Sequence, residues 1–414
     1  MSAPDAALPA LPAGVLRQLA AAPHRLLFFV GATNVLLAMC WWAVWLTSTR
    51  WLPAGVAQPP IPAGWLHAML MQYQVLPAFM FGFLLTVFPR WMNQPELRRQ
   101  HYVPVGVGML GGQILTLAGL FGSMTLLQLG AAFTTTGWAI GTFILARLVW
   151  IDQGRTWHAV SCLFALLFGL LGLGLYGAYL LNLDARALFT AVKLGSTVVL
   201  LPIFLTVCHR MVPFFASMAL QGGYRVVRPM WVLAAAWALL LTHTWMELRH
   251  AYAWLWWADL PLAALSGGLL WVWWPRGRSM PALLRVLFVG FAWLPVAFLL
   301  YAAQSLWFWM NGEFILGRAP AHALFVGCFG SLLVAMVTRV TQGHAGRPLV
   351  LGNIAAFTFI FIQGVALVRI LAEVLPDAMA WQAMAAWGWV LAFLPWVLRS
   401  AWIYLTPRAD GRPG

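Results

Sequence analysis

Apolar runs about as long as a bilayer is thick follow one another along this chain, with only short loops between them. A helix needs ~20 mostly apolar residues to cross the ~30 Å hydrocarbon layer. Twelve such runs stand near 26–46, 65–88, 103–121, 125–149, 158–181, 187–208, 230–247, 253–274, 284–309, 320–341, 350–372 and 379–405. Of the 414 residues, 63% are hydrophobic and 8% charged. No soluble core hides that much apolar surface, so the expected fold is all-α: a polytopic membrane protein of twelve transmembrane helices, partnered by the lipid bilayer. The domains expected are an N-terminal segment 1–25, a membrane domain 26–405 and a tail 406–414. The first segment is rich in Ala and Pro and lacks the short apolar core of a removable signal peptide.

The net charge is +14. In a soluble protein that points to nucleic acid; here loop orientation accounts for it, and no nucleic-acid partner is expected. One of the 24 basic residues is Lys193 and the rest are arginines. Eighteen arginines fall in the two ends and every second loop, five in the alternate loops. Cytoplasmic loops carry the excess of Lys and Arg, so both termini are expected in the cytoplasm. The four cysteines (40, 162, 208 and 328) form no C-x-x-C pair, which argues against a thiolate zinc site or a disulfide framework. No P-loop and no Ser–His–Asp pattern occurs. Trp41, Trp42 and Trp45, and Trp271, Trp273 and Trp274, read as interfacial belts. Gly111-Gly112 and the Gly169, Gly172 and Gly174 run suggest close helix packing.

Ionisable residues inside a membrane mark functional sites. The topology sorts the histidines by side. His67 and His322 open the second and tenth helices near the outer face, and His243 lies near the outer end of the seventh. His344 closes the tenth helix at the inner face, 22 residues from His322, or ~33 Å along a helix. It cannot share a metal with the outer group. Two imidazoles at one depth on separate helices point to a haem protein, since imidazole is the usual axial ligand of haem iron. Interfacial anchoring is the alternative for both. His243 precedes Glu247 by one helical turn and is either a metal ligand or half of a structural pair. Lys193 sits about two turns into the sixth helix. It can meet a haem propionate, relay protons, pair with a carboxylate or snorkel to the interface. Met69 and Met71 are soft copper ligands or lipid and core contacts. His24, His101 and His158 stand near arginines and read as solvated loop residues, as does His250. Asn34, Gln72, Gln74, Gln113 and Thr134 read as interhelical hydrogen-bonding groups.

Three stretches carry a family resemblance. The first is His67-Ala68 with Gly82-Phe83-Leu84-Leu85-Thr86 and Pro89-Arg90-Trp91. The second is Arg210-Met211-Val212-Pro213-Phe214-Phe215. The third, the most specific, is His322-Ala323-Leu324 with Thr338-Arg339-Val340-Thr341 and Gly343-His344-Ala345-Gly346-Arg347. In these the chain resembles the NnrS family of bacterial membrane proteins. The resemblance implies a haem- and copper-containing inner-membrane protein, linked to nitric oxide metabolism and nitrosative stress. Members often read H-x-H-E-M at the start of the second helix. Here the stretch is His67-Ala68-Met69-Leu70-Met71, without the second His and the Glu. More remotely, the layout is similar to the catalytic subunit of haem–copper oxidases and nitric oxide reductases. That family holds a low-spin haem between histidines of helices 2 and 10, but its helix-10 His-x-His and helix-7 His-His are missing here.

The expectation is a bacterial inner-membrane protein holding haem b near its outer face between His67 and His322. Lys193, Arg339 and Arg347 are the candidate cofactor-binding cations, and His243 and His344 are further candidate metal ligands. Nitric oxide is the expected small ligand, bound, sensed or turned over, with a reductase-like oxidoreductase activity as one form. The rivals are a twelve-helix secondary transporter, with which midplane ionisable groups and broken helices would agree, and a non-catalytic assembly or sensor protein.

Overall fold

A computed structural model describes residues 14–52, 55–220 and 223–411. Residues 1–13 of the expected N-terminal segment and 412–414 of the tail, Arg412 among them, lie outside the described residues. Apart from a one-turn helix at Val15–Leu19 and a 3-10 turn at Tyr252–Trp254, the fold consists of long helices, with no strand among the described residues. In chain order these are α1 (Pro23–Trp51), α2 (Ala63–Trp91), α3 (Arg99–Gly119), α4 (Met124–Ile151), α5 (Trp157–Asn182), α6 (Ala185–Ala219), α7 (Trp231–Leu248), α8 (Trp256–Trp273), α9 (Ala282–Asn311), α10 (Ala319–His344), α11 (Asn353–Leu371) and α12 (Ala378–Leu405). Ten are long and apolar enough to cross a membrane; α7 and α8, each of 18 residues, are the two outside that set. Exposed Phe143, Trp150, Ile360 and Leu398 lie on outward helix faces, where only lipid can cover them.

Helices adjacent in sequence pack in pairs, most extensively α3 with α4, α8 with α9 and α11 with α12. Helix α1 packs along α12, so the two ends of the bundle meet. The most buried helices are α2, α6 and α10. Each departs from α-geometry in the half that carries His67, Lys193 or His322, named the outer half after the topology expected above: π-helical segments run over Met71–Val75, Gly195–Leu200 and Ala323–Gly330. Such insertions widen the turn, shift the facing of side chains and concentrate at functional sites. At the inner ends α6 links the other two. Arg210 of α6 lies over the Trp91 ring of α2 at 4.5 Å, and Arg339 of α10 lies over Phe215 of α6 at 4.2 Å.

Two sequence expectations appear in the packing. A Cβ on Gly108 would stand 2.6 Å from the Gly137 Cα, so α3 and α4 touch backbone to backbone, with Gly112 against Thr134. Gly169 and Gly172 make room for Trp138 and Tyr73, whereas Gly174 faces open space. Gln74 donates to Thr116 and Thr134 at 2.9 and 3.0 Å, joining α2, α3 and α4. Asn34 makes no such bond; both its side-chain polar atoms are buried without a partner.

Candidate functional site

The widening of α2, α6 and α10 coincides with a cavity of about 440 Å³ in the outer half of the bundle. His67 and His322 both line it. His67 stands four residues before the first π segment, and His322 immediately precedes the third. The His322 Nδ1 lies 2.9 Å from the Arg318 carbonyl oxygen. A carbonyl only accepts, so Nδ1 carries the proton and Nε2 keeps its lone pair, the form that binds a metal. His67 lies flat against Trp42, with ring centroids 4.6 Å apart and planes 6° apart. Its Nδ1 is buried with no hydrogen-bond partner, a rarity in folded proteins. Trp42 is therefore part of the cavity wall.

Three cations share the same wall: Lys193, Arg318 and Arg369. Arg369 also donates to Glu373 at 2.6 Å. Trp65, Phe325, Val326 and Trp389 add apolar wall, and Gln72, Ser196, Glu247, Tyr301 and Gln382 add polar wall. A haem is a flat apolar plate that takes imidazole on its faces and carries two carboxylates at one edge. Two imidazoles with apolar walls and three cations fit that group. A copper ion fits less well. Among the described residues no three His, Cys, Asp or Glu side chains come together as a metal site. Met71 faces the cavity with His67, but Met69 lines a separate small void with Tyr73 and Thr116.

Lys193 does not snorkel. Its Nζ donates to Glu247 Oε1 at 2.5 Å, and the other Glu247 oxygen lies 3.5 Å from His243 Nε2. His243 Nδ1 continues to Asp259 Oδ1 at 2.7 Å. Four ionisable side chains thus run in a line from the cavity wall to the α7–α8 contact. Glu247, His243 and Asp259 are all buried. His243 faces two carboxylates at the far end of this line and does not line the cavity. The sequence reading had His243 with Glu247 but missed Asp259, which has no ionisable neighbour at helical spacing on its own helix. It also missed Arg318 and Arg369 as cavity residues; both read only as loop charges.

The inner end is built differently from expectation. His24 and His158 are buried, not solvated. His158 Nε2 and His209 Nδ1 are 3.0 Å apart, and His209 Nε2 lies 3.3 Å from the Pro229 carbonyl oxygen. The carbonyl forces the proton onto His209 Nε2, so His158 Nε2–H donates and His158 Nδ1 accepts from Arg210 at 3.4 Å. Every ring nitrogen is satisfied, and α5, α6 and the loop before α7 are locked together. His344 packs its ring on His24 with centroids 4.3 Å apart. Arg347 covers Trp402, and Arg339 covers Phe215. His344, Arg339 and Arg347 are thus gathered at the inner end, apart from the outer cavity.

Fold and site together define a polytopic helical membrane protein with a ligand-sized outer cavity that two histidines and three cations enter. The chain belongs to the NnrS family. The family model described as NnrS protein matches residues 18–408, nearly the whole chain. Among curated proteins, none matches the chain.

Proposed function

We propose that this protein binds haem b in its outer cavity, with His67 and His322 as axial ligands, and binds or turns over nitric oxide there in the response to nitrosative stress. One observation carries the reading: two imidazoles from α2 and α10 enter one cavity that also presents Lys193, Arg318 and Arg369. NnrS membership is consistent with a nitric-oxide-related role. Bound haem would supply an iron at which a diatomic gas binds when one imidazole yields its place. The chain's own part is orientation and charge. The Arg318 carbonyl holds the His322 ring in the ligating tautomer. Trp42 fixes the plane of His67. Lys193, Arg318 and Arg369 would hold the haem propionates, and Arg is suited to this because its planar fork matches a carboxylate. Copper has no ligand set on the cavity wall and enters no step of this reading.

The finer topology belongs to the same proposal: twelve crossings, α7 and α8 included, with both termini in the cytoplasm and the chain in a bacterial inner membrane. The arginine alternation supports it. A secondary transporter is the second reading. The three interrupted helices favour it, because such segments line transporter substrate sites.

An optical spectrum of the purified protein separates the two readings, as only the haem protein shows a Soret band. The His67→Ala and His322→Ala variants should each lose or strongly shift that band, while His101→Ala should keep it. Wild-type spectra in both cavity variants would remove the ligand assignment.

A further inference from the structure

Below the outer cavity, α1, α2, α6 and α10 enclose a second space, of about 60 Å³. Phe79, Phe83, Val207, Cys208, Leu333 and Met336 are among its lining residues, which are all apolar. Water needs two to four polar partners to stay in such a place and finds none, so the space is dry. Room of about 10–15 Å³ for the centre of a water molecule is enough to hold one, so the space takes a few molecules the size of a diatomic gas and is too small for haem.

The walls of the two cavities stand six residues apart on α10 (Val326 to Leu332) and seven on α6 (Ser196 to Ile203), or ~9–11 Å of helix. Phe325 of α10 lines the outer cavity, and Phe329, four residues or ~6 Å further along, is fully buried. The two rings meet edge to face at 5.4 Å. Phe329 in turn stacks on Phe204 of α6, at 4.2 Å and 24°, and Phe204 lines the inner cavity. The rings therefore run from one cavity to the other through the level where α10 is π-helical. An aromatic ring there is a barrier that yields by rotation, and the loosened helix beside it makes such rotation easier.

We propose that the inner cavity is a binding site for a small uncharged diatomic gas, from which molecules pass the Phe204–Phe329 pair into the outer cavity. The chemistry selects the ligand: no charge or hydrogen bond can be met in the cavity, and a gas that dissolves in hydrocarbon loses nothing by entering. The use of that gas rests on the haem reading above; the site itself does not.

Xenon is the probe for the site. The full-length wild type under pressurised xenon should bind it in this cavity, seen by diffraction or by xenon NMR. Val207→Phe, which fills the space, should lower occupancy severalfold. If that variant does not fold, Val207→Ala enlarges the space and should raise it. A wild type without xenon there, or with water density instead, overturns the proposal, as does occupancy that neither variant moves. Passage is read in the haem-loaded protein by carbon monoxide rebinding after flash photolysis. Phe329→Ala should speed rebinding severalfold with the Soret band unmoved, and an unchanged rate rejects the Phe329 barrier. A wild type with no haem refutes the haem reading and leaves xenon to decide this one. Absent xenon beside a normal Soret band refutes this one alone.

Discussion

Glu247 answers two partners at once, Lys193 and His243, with a side chain 5% exposed against 25% for Lys193. Breaking a buried ion pair from one side costs about 3–5 kcal/mol, and removing Glu247 takes a partner from Lys193 and from His243 at once. Glu247→Ala should therefore lower thermal stability more than Lys193→Ala, which leaves Glu247 its histidine and can let water reach the gap. Equal melting points for the two variants would show that the line of charges is not coupled. His344 makes the opposite case. It stands ~33 Å along α10 from His322, so His344→Ala should leave the outer haem spectrum and the haem-to-polypeptide ratio unchanged. A fall in that ratio from two to one would reveal an inner site instead. That Glu247 and His344 each stand at the end of a long apolar run was legible from hydropathy, as was His243 one turn from Glu247. Lys193 against Glu247 and His24 against His344 were not, because they lie on other helices.

At the scale of elements, packing and capping set what each helix tolerates. Gly108→Ala should push α3 from α4, since its Cβ would meet the Gly137 backbone and backbone cannot rotate away. Overpacking of this kind costs about 1–3 kcal/mol, measurable as a lower unfolding temperature. Gly174→Ala, facing open space, should cost far less. Helix α12 begins at Asp377, a left-handed residue (φ 56°) whose carboxylate accepts from the Ala380 N–H and from Arg50 at 2.8 Å. The hydrogen bond from Arg50 holds this exposed carboxyl below the usual carboxylate range. Its contribution is therefore complete above the ordinary Asp pKa of about 3.9 and fades as pH falls through the lowered folded value. Being exposed, it is small and weakens with salt. Asp377→Asn should keep the cap and flatten this acid limb of the melting curve; an unaltered limb would assign the pH dependence elsewhere. The helices themselves follow from the apolar runs. The π segments do not, since Gly195-Ser196-Thr197 and Ala323-Leu324-Phe325 have nothing in their composition that differs from an α-helix.

For the whole molecule the decisive quantity is the order of crossings. Reporter fusions at Gly55, Leu183 and Gly312 should report the outer side, and fusions at Gln94, Gly223 and Gly277 the cytoplasm. The loop between α7 and α8 is the sensitive place, because those two helices fall outside the ten that length and apolarity mark as spanning. If only one of α7 and α8 crosses, every fusion beyond it reverses; if neither crosses, only the loop between them changes side. The bundle closes on itself through α1 and α12 and puts α2, α6 and α10 inside. That arrangement turns three separate sequence positions, His67, Lys193 and His322, into one cavity wall.

What the sequence determined alone was one-dimensional: helical class, the succession of apolar runs, and the excess of arginine in alternate loops. Each follows from transfer energies that a residue carries wherever it stands. The two cavities, the line from Lys193 to Asp259 and the Trp42 face on His67 were decided by the tertiary structure. They depend on how far each helix is rotated about its own axis and which helix it meets. Lipid drives no such choice in a chain apolar on all sides; close packing and a few buried hydrogen bonds do.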